Sequence, residues 1–154
     1  MKIGSSPVYL DTSALAKLYL PEPGSDEMED ALLGRRDVIV SDLAITELTS
    51  AVARRVRETD LTAAHARRIY QRVSTDVGAG EFRRAEITAN THREAERLLM
   101  AIGRRVPVRA GDALHLGMAS LLGVRVLVTF DQRMRSAAEA LGTLDVVGAH
   151  SEQT

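Results

Sequence analysis

Apolar positions along this chain fall into short unbroken runs separated by longer stretches in which they recur at helical spacing. Val8, Tyr9 and Leu10 follow Pro7 and stop at Asp11-Thr12-Ser13, three good helix N-caps, which predicts a strand, an acid and then a helix over 14–20. Pro21-Glu22-Pro23-Gly24 breaks that helix, and Ser25-Asp26-Glu27 opens another that carries Met28, Leu32 and Leu33 and stops at Gly34. A second strand over 37–40 is capped by Ser41 or Asp42 into a helix over 43–57, with Ala44, Leu48, Ala51 and Val52 on one side. Beyond a polar turn at 58–60, Ala66, Ile69, Tyr70 and Val73 predict a helix over 61–77, ended by Gly78-Ala79-Gly80. Residues 82–87 carry a weak strand pattern, and Ala95, Leu98, Leu99 and Ile102 mark a helix over 91–103. After Pro107, Leu114, Met118, Leu121 and Leu122 define a helix that begins at Ala110 or Gly111 and closes at Gly123. Residues 124–129 form the clearest buried strand, Asp131 sits just after it, and a helix over 133–141 ends at Gly142. Residues 144–147 read as a last strand.

Strands alternating with helices call for an α/β fold, a parallel sheet with helices on both faces, and no internal repeat interrupts the pattern. The expected organisation is one domain over 1–149 and a flexible polar C-terminal end over 150–154. In such folds ligands collect at the carboxyl ends of the strands.

Composition narrows the chemistry. The 154 residues include 45% hydrophobic side chains, enough for a core that needs no disulfide or structural zinc. The absence of cysteine excludes a disulfide scaffold, a thiol nucleophile, an iron–sulfur cluster and a thiolate zinc site. The charge-free stretch 113–124 falls well short of the roughly 20 residues that cross a bilayer. The N-terminus is too polar and short for a secretory segment, so a cytoplasmic protein is expected. Twenty basic and 21 acidic residues give a net charge of −1, which argues against nucleic-acid binding by bulk electrostatics alone. All the basic residues except Lys2 and Lys17 are Arg, a bias that suits phosphate recognition and that a GC-rich genome also produces. With Tyr9, Tyr19, Tyr70, Phe82 and Phe130 the only aromatics, no base-stacking platform is evident.

Four acids fit the expected edge of the sheet. Asp11 and Asp131 each follow an apolar strand, and Asp112 lies in the first turn of a helix; all three also suit helix capping or the helix dipole. Glu47 stands three residues after Ala44 and next to Leu48, bordering an apolar face where an unpaired carboxylate is costly. Carboxylates meeting at one point repel by about 4 kcal/mol per close pair at a surface-like dielectric, so such a cluster makes sense only around a cation. With oxygen ligands alone, Mg²⁺ or Mn²⁺ fits best, and such ions commonly take phosphate oxygens. That is phosphodiester chemistry, in which an activated water attacks phosphorus in line and no Ser or His nucleophile is needed.

These residues resemble the motifs of the PIN-domain ribonucleases, and most closely the toxins of VapBC toxin–antitoxin systems. Val8-Tyr9-Leu10-Asp11-Thr12-Ser13-Ala14-Leu15 is similar to the opening motif, and Ile45-Thr46-Glu47-Leu48 to the segment holding the second acid. Gly111-Asp112-Ala113-Leu114-His115-Leu116 and Val128-Thr129-Phe130-Asp131 match the third and fourth, so the resemblance runs nearly end to end. It implies a three-layer α/β/α sandwich with a mainly parallel sheet, Mg²⁺- or Mn²⁺-dependent endoribonuclease activity and homodimerisation. It also implies inhibition by a cognate antitoxin that places a basic residue or helix in the acidic site. Carried over by position, Asp11, Glu47, Asp112 and Asp131 form the metal site, with Thr12, Ser13 and Thr129 as supporting hydroxyls. Phe130 stands where a polar residue is also frequent in the family.

Setting the four acids apart from the net charge of −1 leaves +3 on the remaining surface, compatible with RNA approaching an acidic cleft. Arg54, Arg55, Arg57, Arg67, Arg68 and Arg72 lie on two neighbouring predicted helices and either hold RNA phosphates, Arg54, Arg55 and Arg68 foremost, or form a solvated face. His115, one turn after Asp112, either leans towards the site or packs at its rim. A haloacid-dehalogenase type of phosphatase would need a second Asp at position 13, which is Ser. A non-catalytic dimer that binds antitoxin or RNA is disfavoured by intact acids at all four positions. A free-standing RNA-processing nuclease would carry the same acids and is the competing enzyme reading.

Overall fold

The computed structural model describes residues 1–148; the expected flexible end over 150–154 lies outside the described residues. In chain order the elements are β1 (Val8–Leu10), α1 (Thr12–Tyr19), α2 (Ser25–Leu32), β2 (Val38–Ser41), α3 (Asp42–Arg57) and α4 (Ala63–Gly78). They continue as β3 (Arg83–Ala85), α5 (Ala89–Ile102), α6 (Ala110–Leu121), β4 (Val126–Val128), α7 (Gln132–Leu141) and β5 (Asp145–Val147).

The strands form one sheet in the order β3-β2-β1-β4-β5, and every pairing is parallel. The expected α/β/α sandwich is therefore present, with a sheet wholly rather than mainly parallel. Strand alternation assigns the two faces. Val8, Leu10, Val38, Val40, Val126 and Val128 pack with Ala14, Leu15, Leu48 and Ile69 of α1, α3 and α4. Tyr9, Ile39 and Leu127 point the other way, into Leu98, Leu116 and Met134 of α5, α6 and α7. Because β1, β2 and β4 are covered on both faces, their apolar runs are continuous instead of alternating. Strand order runs outward in one direction through β2 and β3 and in the other through β4 and β5, so the switch point lies between β1 and β4.

Capping residues set several helix starts. The Thr62 hydroxyl accepts the His65 amide at 3.1 Å, which starts α4 at Ala63 instead of 61. A reciprocal pair between Thr88 and Thr91 starts α5 two residues before the expected 91. The strand expected over 124–129 is trimmed at both ends: the Val124 amide bonds back to Ala119 in the turn after α6, and the chain leaves the regular ladder after Val128.

Helices α5 and α6 approach closely at Gly117, where a Cβ would stand 3.2 Å from the Ala95 amide nitrogen and 3.3 Å from the Thr91 carbonyl. Gly117→Leu is expected to pry the two helices apart and cost roughly 2–3 kcal/mol, visible as a lower midpoint in urea unfolding. A midpoint unchanged from wild type would mean the interface has slack. Among the described residues, no helix is long and apolar enough to cross a membrane.

Candidate active site

The switch point carries the first acid. Asp11 follows β1 directly, its backbone amide bonds to the Val128 carbonyl of β4 at 3.2 Å, and its side chain caps α1 by accepting the Ala14 amide at 2.9 Å. Only 3% of the residue is exposed. Two hydroxyls complete the cradle: Ser13 Oγ donates to Oδ1 at 2.7 Å and Thr129 Oγ1 donates to Oδ2 at 2.5 Å. Burial pushes the Asp11 carboxyl above its ordinary value, and hydrogen bonds from Thr129, Ala14 and Ser13 only partly oppose the shift. Ser13 also accepts the Phe130 amide at 2.8 Å, so it ties the start of α1 to the segment after β4.

Glu47 lies in the second turn of α3 and is half-buried. Its Oε2 accepts from the Thr12 hydroxyl and stands 3.2 Å from His115 Nε2. The His115 hydrogen bond holds the Glu47 carboxyl below the usual carboxylate range against partial burial, and the Thr12 hydroxyl adds to the effect. His115, 2% exposed on α6, meets the Tyr9 hydroxyl through Nδ1 at 2.8 Å. Tyr9 reaches this point from within an apolar strand because the pleat turns it away from Val8 and Leu10.

The remaining two acids stand at helix starts. Asp112 Oδ2 accepts the Arg109 amide at 3.0 Å in the first turn of α6. Exposed Asp131 caps α7, its Oδ1 accepting the Arg133 amide at 2.7 Å and the Met134 amide at 3.4 Å. The capping role anticipated for Asp11 and Asp131 is real in both, and it fixes where each carboxylate sits.

The structure thus gathers Asp11, Ser13 and Thr129 into one cluster and Glu47, Thr12 and His115 into a second, joined through the first turn of α1. Asp112 and Asp131 share no side-chain hydrogen bond with either cluster's carboxylate. Among the described residues no three acids or histidines stand close enough to hold a cation as they are. The donor set nevertheless suits a hard divalent ion. Glu47 Oε1, Asp112 Oδ1 and Asp131 Oδ2 accept from no donor among the described residues, and Asp11 is buried with no basic partner in hydrogen-bond contact. An ion that keeps several waters needs few direct protein ligands.

Of the arginines, Arg54, Arg57, Arg67 and Arg68 are exposed or nearly so at the surface of α3 and α4. Arg55 is ion-paired to Glu22, and Arg72 lies 3.9 Å from Asp76 and over the Tyr19 ring, so these two are already engaged. Tyr9 and Gly111 are site residues that the sequence did not single out. Tyr9 was hidden in the apolar run, where its polar hydroxyl was the one signal. Gly111 adjoins Asp112, and a Cβ there would come within 2.9 Å of Glu47 Oε1.

A doubly wound parallel sheet with acids at its switch point defines a small class, and residues 8–140 match the PIN domain family. The chain belongs to that family. It is 35% identical over 139 residues to Ribonuclease VapC46 of Mycobacterium tuberculosis, covering 88% of this chain and 92% of that protein. Solved structures with the same fold include Mycobacterium tuberculosis VapC20, described as a sarcin-ricin loop cleaving toxin. It has a TM-score of 0.66 at 17% identity, over 84% of this chain and 94% of that one. A toxin–antitoxin complex from Klebsiella pneumoniae matches with a TM-score of 0.64 at 15% identity, over 92% and 96% of the two chains.

Proposed function

We propose that this protein is a Mg²⁺- or Mn²⁺-dependent endoribonuclease that acts as the toxin of a toxin–antitoxin pair. The observation that carries the reading is Asp11: a carboxylate buried at the sheet's switch point, surrounded by three hydrogen-bond donors and carrying no basic partner in hydrogen-bond contact. The name of the 35% identical relative supports RNA as the substrate. A bound divalent cation would stabilise charge on the phosphodiester oxygens and acidify a water for in-line attack.

The protein's own contribution is positioning. Ser13, Thr129 and the Ala14 amide fix both oxygens of Asp11, and Thr12 with His115 fixes Oε2 of Glu47. The capping bonds at Asp112 and Asp131 leave Oδ1 of the first and Oδ2 of the second without a donor, so Asp11, Glu47, Asp112 and Asp131 are the residues that would hold the ion and its waters. Arg54 and Arg68 are exposed and would contact RNA phosphates, whereas Arg55 would first have to release Glu22. Exposed Met100, Leu121 and Leu122 on α5 and around the end of α6 offer apolar surface for a second copy of the chain. A cognate antitoxin, the kind of partner present in the Klebsiella complex, would silence the site by bringing a basic group to the acids.

The test is cleavage of a total-RNA pool by wild type and Asp112→Asn, each with Mn²⁺, with Mg²⁺ and with EDTA, followed by sequencing of the new ends. Discrete cuts made only by metal-loaded wild type are expected. A folded, metal-binding wild type that cuts nothing would favour the non-catalytic binding module, and equal cutting by the variant would remove Asp112 from the site.

A further inference from the structure

We propose that His115 is a positioning residue that makes Glu47 present one oxygen, Oε1, to the divalent cation. The proposal rests on the metal-site reading above.

Glu47 Oε2 is engaged on one side by Thr12 and on the other by His115 Nε2 at 3.2 Å, and Nε2 also lies 3.2 Å from Thr12 Oγ1. An ionised carboxylate can only accept, so Nε2 must donate. Nδ1 faces the Tyr9 hydroxyl at 2.8 Å, a group that needs an acceptor for its proton and finds it on that nitrogen. With the imidazole neutral, the network assigns the directions: Tyr9 donates to Nδ1, the Nε2 proton is shared between Glu47 Oε2 and Thr12 Oγ1, and Thr12 donates to Oε2. His115 and Tyr9 are buried, and no buried side-chain polar atom among the described residues lacks a partner. The imidazole cannot swing away without taking from the Tyr9 hydroxyl its acceptor on Nδ1, which makes the chain a stiff support.

The other oxygen meets no donor. Oε1 lies beside Gly111, in a space that a Cβ would close, and Asp112 is the next residue. Glycine here keeps open the gap between Glu47 and the helix bearing the next acid. Two donors on Oε2 and none on Oε1 separate the labour of the carboxylate: one oxygen is tethered to the protein and one is left for the ion. Partners that orient a metal ligand in this way are worth about 10–100-fold in metal affinity.

The experiment is a Mn²⁺ titration of full-length, metal-stripped protein followed by the electron paramagnetic resonance of free Mn²⁺, on wild type, His115→Phe, His115→Gln and Gly111→Ala. His115→Phe keeps a ring in the cavity and loses the donor; His115→Gln returns an N–H near the place of Nε2. Mn²⁺ affinity is expected to fall about tenfold or more in His115→Phe and to recover to within about threefold of wild type in His115→Gln. Gly111→Ala, which leaves His115 intact, is expected to weaken binding through displacement of Oε1. Melting temperatures in EDTA show which variants are folded, and saturating Mn²⁺ should restore most cleavage to His115→Phe. Wild-type affinity in a folded His115→Phe would overturn the proposal, as would equal losses in the Phe and Gln variants. If wild type itself binds no Mn²⁺, the metal-site reading falls and this inference falls with it. That outcome is distinct from the case in which wild type binds and His115 proves indifferent.

Discussion

Asp11→Asn is expected to abolish RNA cleavage and, at the same time, to make the metal-free protein harder to unfold at pH 7. Loss of the proposed metal ligand should lower the rate by about 10²–10³-fold or more, since a cation would supply several kcal/mol of transition-state stabilisation. The stability gain follows from the buried charge. Burial raises the folded-state carboxyl above its ordinary 3.8, so the stability Asp11 contributes is fully present below that value and is lost as pH rises through the raised one. Above its ordinary value wild type bears the cost of desolvating this carboxyl, whereas Asn keeps a carbonyl for Ala14 and Ser13 and lets the Thr129 hydroxyl reverse. As pH falls through 3.8 the two proteins should draw together in stability, because the acid then becomes protonated in the unfolded chain as well as the folded one. Mn²⁺ should invert the order at pH 7: at about 100 times its dissociation constant an ion adds roughly 2.7 kcal/mol to a protein that binds it only when folded. Thermal unfolding in EDTA and in Mn²⁺, at pH 7 and at pH 4, reads every part of this. A variant less stable than wild type in EDTA at pH 7, or one that gains as much from Mn²⁺, would show that the Asp11 charge costs nothing and holds nothing.

The largest loss of stability from a single added methyl is expected at Gly148. This residue follows β5 with φ of 137°, and a Cβ on it would stand 1.9 Å from the Thr129 carbonyl oxygen, a backbone atom with no freedom to retreat. The Thr129 amide is bonded to Val147 at 2.9 Å, and Arg135 donates to the Gly148 carbonyl at 3.0 Å. Gly148→Ala must therefore break the contact between the ends of β4 and β5, at a cost of roughly 3 kcal/mol or more. That corresponds to a fall of about 6–12 °C in melting temperature for a chain of this size. Cleavage should fall as well, since Thr129 carries the hydroxyl that holds Asp11 Oδ2. Gly34→Ala is the control: φ is 75° there but open space surrounds the position, so only the backbone cost of about 1–2 kcal/mol applies. Equal losses at the two sites would mean that the β4–β5 closure adapts without strain.

Much of this molecule was legible in the chain. The unbroken apolar runs at Val8 and Val126 belong to strands covered on both faces, and their regular alternation with amphipathic stretches leaves a parallel sheet as the architecture. An acid shortly after such a strand lies at its carboxyl end, which is what makes Asp11 and Asp131 stand out in the chain, and the pairing of β1 with β4 does bring those ends together. The element ends were less legible where a cap lay away from the apolar pattern, as at Thr62 and Thr88. Local hydrogen bonding fixes a helix start, and hydrophobic periodicity is blind to it.

The sequence alone determined the class of fold and singled out the four acids, because strand patterning and charge are properties of the residues themselves. Only the tertiary structure decided what those acids touch. Thr12 and His115 stand 103 positions apart, yet both close on one oxygen of Glu47. Arg55, free in the sequence, is claimed by Glu22 from the connection between α1 and α2. Periodicity fixes which face a side chain takes, but the partner waiting on that face is set by which strands and helices the sheet order makes neighbours.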